Sequence, residues 1–183
     1  MNKTLKALLL ATSLTTASAA MAANPQVGGA DMFENRNIVE NAVNSADHTT
    51  LVAAVQAAGL VETLQGPGPF TVFAPVNDAF AALPAGTVET LLMPENLEML
   101  QKVLTAHVVS GTMTSAEMAA RANAERDGLY KFTTVSGDTL TAEVRGNSLV
   151  IIDENGSAAT VSISNVMQSN GVIHVIDSVL VPN

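Results

Sequence analysis

Gly68 to Phe80 reads GPFTVFAPVNDAF, a run whose period changes partway along. Thr71, Val72 and Phe73 have the β-branched and aromatic character of a strand. Pro75 holds Ala74 extended and, having no amide hydrogen, ends the ladder. Asn77 then stands where a side-chain oxygen caps a helix containing Ala79, Phe80 and Leu83, with Asp78 in its first turn. A turn from strand to helix can hold a catalytic group, but a strained elbow needs a nucleophile in the turn, and none is present. The run therefore reads as architecture, with Asn77 accepting backbone amides and touching no substrate.

Outward from this run the periodicity divides the chain. Upstream, NIVENAVNS (Asn37 to Ser45) and TTLVAAVQAAGLVETL (Thr49 to Leu64) carry apolar residues at three- and four-residue spacings. Leu51, Val52, Val55 and Ala58 form one stripe, Asp47 or Thr49 can cap this helix, and Gly59 can end it. Downstream, Gly86 to Gly111 is helical but interrupted at Pro94, which suits the first turn of a new helix, so two helices in tandem are expected. Thr114-Ser115-Ala116-Glu117 matches a capping box opening a helix to about Arg126.

From Leu129 the pattern alternates. LYKFTTV, TLTAEVR and SLVIID are separated by Ser136-Gly137-Asp138, Gly146-Asn147 and Glu154-Asn155-Gly156, the pattern of hairpins, with a type I′ turn at Asn155-Gly156. Leu140, Ala142 and Val144 point one way while Thr139, Thr141, Glu143 and Arg145 point the other, as in a sheet with one solvated face. GVIHVIDSVLVP (Gly171 to Pro182) is apolar on both faces and reads as a central buried strand. Helical patterns followed by alternating ones predict a single α+β domain.

Composition narrows compartment and partners. The chain has 183 residues, 48% hydrophobic, enough for one domain with a sizeable core. Residues 1–22 place Lys3 and Lys6 ahead of an apolar run and then offer Ala17-Ser18-Ala19 and Ala20-Met21-Ala22, the pattern of a signal peptide cleaved after Ala22, or alternatively after Ala19. Thr12, Ser13, Thr15 and Thr16 interrupt the run, which falls short of the roughly 20 residues of a membrane span. Cleavage leaves six Lys and Arg against 17 Asp and Glu, a net charge of −11, so nucleic acid and anionic lipid are poor partners. The absence of cysteine excludes disulfides, thiolate chemistry and an acylated N-terminal cysteine. The expected product is soluble in the periplasm or outside the cell, without membrane insertion.

TVFAPVNDAF (Thr71 to Phe80), LTAHVVSG (Leu104 to Gly111) and NGVIHVIDSVLVP (Asn170 to Pro182), with the lead-in ADHTTLVAAVQAAGLVETL (Ala46 to Leu64), together resemble the fasciclin domain, particularly its single-domain secreted bacterial members. The resemblance covers roughly Asn37 to Pro182. It implies a wedge-shaped β-sandwich packed with several α-helices, working in cell adhesion or extracellular protein contacts, with no shared active site. The resulting division is a signal peptide at 1–22, an N-terminal extension at 23–36 and the fasciclin-like domain at 37–183. Where the family often has Tyr-His, this chain has Ala106-His107. That departure predicts less aromatic surface for a partner to grip, and a gain of exposed area from Ala106→Tyr.

Catalytic and metal-binding readings are weak by comparison. His48, His107 and His174 are the only histidines. His174 and Asp177 lie three apart in a strand and so face opposite sides, and imidazoles within apolar runs satisfy buried backbone groups. No Gly-x-Ser-x-Gly elbow is present. A calcium-loop reading of Asp153 to Ser157 fails because Ser164 occupies the twelfth position, where a chelating glutamate belongs. The pairs Glu95 and Glu98, and Glu125 and Asp127, read as solvated charge, and Met93, Met99, Met113 and Met118 as packing or helix surface. No catalytic residue, metal or cofactor is implied. The expectation is a non-enzymatic adhesion or protein-binding module whose partner is a protein or cell-surface component, with Asn77, Asp78, Ala106, His107 and His174 as the motif positions of interaction or structure. A periplasmic carrier of a small apolar ligand is the alternative. A deep apolar cavity would favour the carrier, and an exposed apolar patch over a filled core would favour the adhesive module.

Overall fold

The computed structural model of the chain describes residues 24–182, and the signal-peptide reading of residues 1–22 lies outside them. Elements are numbered in chain order. β1 (Gln26–Val27) and β2 (Ala30–Asp31) form a small antiparallel ribbon. Val27 and the adjacent Met32 are buried in the same core as the helices that follow, so this ribbon packs onto the domain. α1 (Ile38–Ala42) begins with a reciprocal cap in which Asn37 accepts from the Glu40 amide and Glu40 accepts from the Asn37 amide, both at 2.9 Å. α2 (Thr49–Ala57) and α3 (Val61–Gln65) are separated at Gly59, whose φ of +69° suits glycine and ends the first helix.

β3 (Phe70–Pro75) feeds α4 (Asn77–Ala81), and α5 (Thr87–Leu91) follows. Pro94 opens a single 3₁₀ turn, Pro94–Asn96, before α6 (Leu97–Ala106), so the expected break in the long helical stretch is present. β4 (Val108–Ser110) leads to α7 (Ser115–Ala124), which starts with the expected capping box between Thr114 and Glu117. The amide and hydroxyl of Thr114 hold the Glu117 carboxyl below its usual pKa. β5 (Leu129–Thr133), β6 (Thr139–Arg145), β7 (Ser148–Ile152), β8 (Ala158–Gln168) and β9 (Gly171–Ile176) complete the chain.

Among the described residues seven strands run in the order β4-β3-β9-β8-β7-β6-β5. β9 lies inside this order, parallel to β3 and antiparallel to β8, which explains why its sequence is apolar on both faces. β8 changes register twice near Asn165, a residue at φ +58°, and these bulges bend it so that it serves both halves of the sheet. The two ends of the order consequently meet. Phe73 of β3 stacks on Phe132 of β5 at 5.9 Å, and the Val135 amide donates to the Val108 carbonyl at 2.8 Å. The result is the α+β sandwich with packed helices that the sequence predicts.

Two cores follow from strand alternation. Val72 and Ala74 of β3, with Ile173 and Val175 of β9, face the helices and meet Leu51, Phe80 and Leu104. Phe73 and Ile176 face the other way, into the sandwich, with Met118, Phe132, Leu140, Ile151 and Leu180. At the start of β9 the backbones approach so closely that a Cβ on Gly171 would strike the Phe70 carbonyl oxygen, so only glycine fits there.

One turn differs from expectation. The β7 to β8 connection is not a type I′ turn at Asn155-Gly156, because only Gly156 has positive φ. Asp153 organises it instead. Its Oδ1 accepts from the amides of Asn155 (3.0 Å) and Ser157 (2.8 Å), and its Oδ2 from that of Val181 (3.0 Å). The carboxylate thus closes a five-residue loop with Gly156 in the left-handed region, a longer hairpin form.

Candidate interaction surface

Asn77 lies in the first turn of α4, where its side chain makes no cap for that helix. It caps α2 instead. Oδ1 accepts from the Thr50 amide at 3.0 Å and the Thr49 hydroxyl at 3.2 Å, while Nδ2 donates to the Ala46 carbonyl at 2.8 Å. The expected local cap, and the alternatives Asp47 and Thr49 for α2, are corrected accordingly. Packing of α2 against α4 brings a distant amide closer to the Asn77 oxygen than its own helix can. Asp78 is exposed in the first turn of α4.

Ala106 and His107 end α6 inside the molecule, at 1% and 3% exposure. A tyrosine at 106 would have to enter packed space, so the expected gain of contact surface is overturned: the position faces the interior. His107 accepts the Leu180 amide hydrogen on Nε2 (3.0 Å), which leaves its proton on Nδ1, donated to the Val103 carbonyl (2.8 Å). Burial drives its pKa from 6.5 to about 4. His174, stacked on Phe73, donates from Nε2 to the Met113 carbonyl (2.8 Å) and accepts the Asn165 amide on Nδ1 (3.3 Å). Its pKa is likewise lowered, chiefly by burial.

His48 forms a pair with Ser45 that sequence reasoning did not single out, since the two lie at the mouth of a helix and not in any elbow. The Ser45 hydroxyl is 2.9 Å from His48 Nδ1, but both residues are buried and Nε2 faces the Ala74 carbonyl at 3.4 Å. The hydroxyl thus lies inside the protein, with Ser45 only 3% exposed. Among the described residues no three His, Asp or Glu side chains converge to hold a metal ion. Glu95, Glu98, Glu125 and Asp127 are all exposed.

The motif residues thus lie mainly within or beneath the helices, and the accessible apolar surface is elsewhere. Leu92 and Met93, after α5, and Leu97 and Met99, in the first turn of α6, are exposed, Met99 at 60%. Glu89, Glu95 and Glu98, close by in the chain, are exposed as well. The arrangement follows from the helix: Leu100, Val103 and Leu104 take the buried stripe, which leaves Met99 on the outer side. That offset from the stripe is the signal available in the sequence. Met118, by contrast, is fully buried in the sandwich core.

A second feature lies under the first helices. Ile38, Leu51, Val55, Leu64, Phe70 and Leu104 line a cavity of about 80 Å³. Gln56 and Thr63, both exposed, stand at its edge. The molecule therefore has both the exposed patch and the internal apolar space that were set against each other as signs of function. No helix among the described residues is long and apolar enough to cross a membrane.

Comparison with known proteins accounts for the fold. The profile of the fasciclin domain matches residues 46–182. The chain is 49% identical over 145 residues to Protein sll1483 of Synechocystis sp., covering 79% of this chain and 73% of that one. It is 39% identical over 132 residues to the transforming growth factor-beta-induced protein ig-h3 of Sus scrofa, covering 72% of this chain and 17% of that protein. Among solved structures, a FAS1 domain pair from the insect cell adhesion molecule fasciclin I superposes with a TM-score of 0.71 at 17% identity, over 79% of this chain and 50% of that one.

Proposed function

Because the chain belongs to the fasciclin domain family, we propose that it is an exported, non-enzymatic module that associates with a protein or cell-surface component through the apolar surface between α5 and α6. The observation that carries this reading is the exposed group Leu92, Met93, Leu97 and Met99. Large apolar side chains exposed this close together in the chain suit an association surface, and methionine adapts to varied partners. The acids Glu89, Glu95 and Glu98, close by in the chain, favour a partner whose apolar face is flanked by Lys or Arg. A fold relative that is a cell adhesion molecule agrees with this role. Export rests on the Lys3, Lys6 and Ala-x-Ala pattern of the first residues.

The non-enzymatic reading is supported by the three histidines, each of which has both ring nitrogens engaged inside the protein. The test is retention of purified protein on surface and envelope fractions of its own organism, wild type against a Leu97→Asp/Met99→Asp double variant. Both positions are exposed in the first turn of α6, where acids suit the helix dipole, so the melting temperature should stay within a degree or two. Retention should fall at least tenfold and should weaken in high salt. Undiminished retention by the double variant would place the association surface elsewhere.

A further inference from the structure

We infer that the cavity beneath α1, α2 and α3 is a binding site for a small uncharged amphiphile with a single hydrocarbon chain. The inference does not rest on the association reading, because the cavity lining and the α5–α6 patch share no residue.

Water is a poor occupant of this space. At about 10–15 Å³ per water centre, 80 Å³ would admit roughly five to eight molecules, each needing two to four polar partners. The inner polar groups of the lining, His107 and Thr105, are committed elsewhere, which leaves Gln56 and Thr63 at the edge. Both nitrogens of His107 are bonded to Val103 and Leu180, and the Thr105 hydroxyl donates to the Gln101 carbonyl at 2.7 Å. What faces the space is hydrocarbon from α1, α2, α3, β3 and α6.

The opening selects the ligand's other end. Val39, Val52, Val55, Leu60 and Val61 are partly exposed, so the cavity reaches the surface along these helices. There Gln56 and Thr63 can hydrogen-bond a hydroxyl or carbonyl. Among the described residues no lysine, arginine or other cation lines the site, and exposed Glu62 lies between Val61 and Thr63, an arrangement that disfavours a carboxylate headgroup. A hydrocarbon tail inward with a neutral polar group at the mouth satisfies every contact. Affinity should therefore grow about fourfold for each methylene buried, until the space is full.

The experiment uses N-phenyl-1-naphthylamine, an uncharged fluorophore, and its displacement by straight-chain primary alcohols from hexanol to nonanol. Displacement should strengthen with chain length and then level off, and octanoate should compete at least tenfold more weakly than octanol. Val55→Phe should fill the space and weaken dye affinity at least tenfold with melting retained. Val39→Phe, from α1, does the same if the first variant folds poorly. The Leu97→Asp/Met99→Asp variant should bind dye as wild type does. The inference is overturned by an absence of displaceable dye binding in the wild type, by octanoate competing as well as octanol, by full binding in a folded Val55→Phe or Val39→Phe protein, or by loss of binding in the patch variant.

Discussion

His107 and Leu180, 73 positions apart, are joined by a buried hydrogen bond in which the Leu180 amide donates to Nε2 at 3.0 Å. Because the same ring donates to the Val103 carbonyl at 2.8 Å, one imidazole ties the end of α6 to the segment after β9. His107→Ala should strand both backbone groups in the interior and cost roughly 1–3 kcal/mol, before any contribution from the lost volume. Urea denaturation measures this directly. A variant that unfolds at the wild-type midpoint yet no longer associates would reveal the ring as a contact residue.

Acid should weaken the fold through this residue. In the folded state burial holds the His107 pKa near 4, against about 6.5 in the unfolded chain, so the unfolded chain takes up the proton first as pH falls. Its contribution is whole above about pH 6.5, declines as pH drops, and is lost below about pH 4, a change of about 3 kcal/mol. Protonation would also put a second hydrogen against the Leu180 amide. His48 and His174 shift in the same direction, again chiefly by burial. Urea midpoints at pH 7 and pH 4.5 should differ accordingly, and equal midpoints would show that the buried rings do not govern acid stability.

Asn77→Ala should cost about 1 kcal/mol, the usual loss for removing a cap. The helix that suffers distinguishes the two assignments. Because Oδ1 serves the Thr50 amide, hydrogen exchange should accelerate at Thr50 in α2, while amides in α4 stay near their wild-type rates. Acceleration confined to Ala79 and Phe80 would instead restore the local cap that the sequence suggested.

Elements whose signals lie a few residues apart were legible in the chain alone. The capping box at Thr114 and Glu117, the break at Pro94, the helix end at Gly59 and the alternation of Leu140 and Ala142 each depend on neighbours within one turn or one pleat. GVIHVIDSVLVP was readable as a buried strand because a strand covered on both faces is mainly apolar on both, although the strand ends at Ile176 and not at Pro182, and it buries the hydrogen-bonded His174. The resemblance of TVFAPVNDAF, LTAHVVSG and NGVIHVIDSVLVP to fasciclin domains was carried by the same segments.

What the chain alone could not decide depended on which distant groups meet. Asn77 has the same capping chemistry in either helix, and only the packing of α2 on α4 brings the Thr50 amide to its oxygen. Ala106 has too small a side chain to reveal in sequence whether it faces partner or core, and its burial follows from where α6 ends against the sheet. Asp153 displaced the expected Asn-Gly turn because its two oxygens could gather amides from the loop and from Val181 at once. The cavity beneath α1 to α3 is the extreme case, since empty space belongs to no residue and exists only through the separation that long-range packing leaves between helices and sheet.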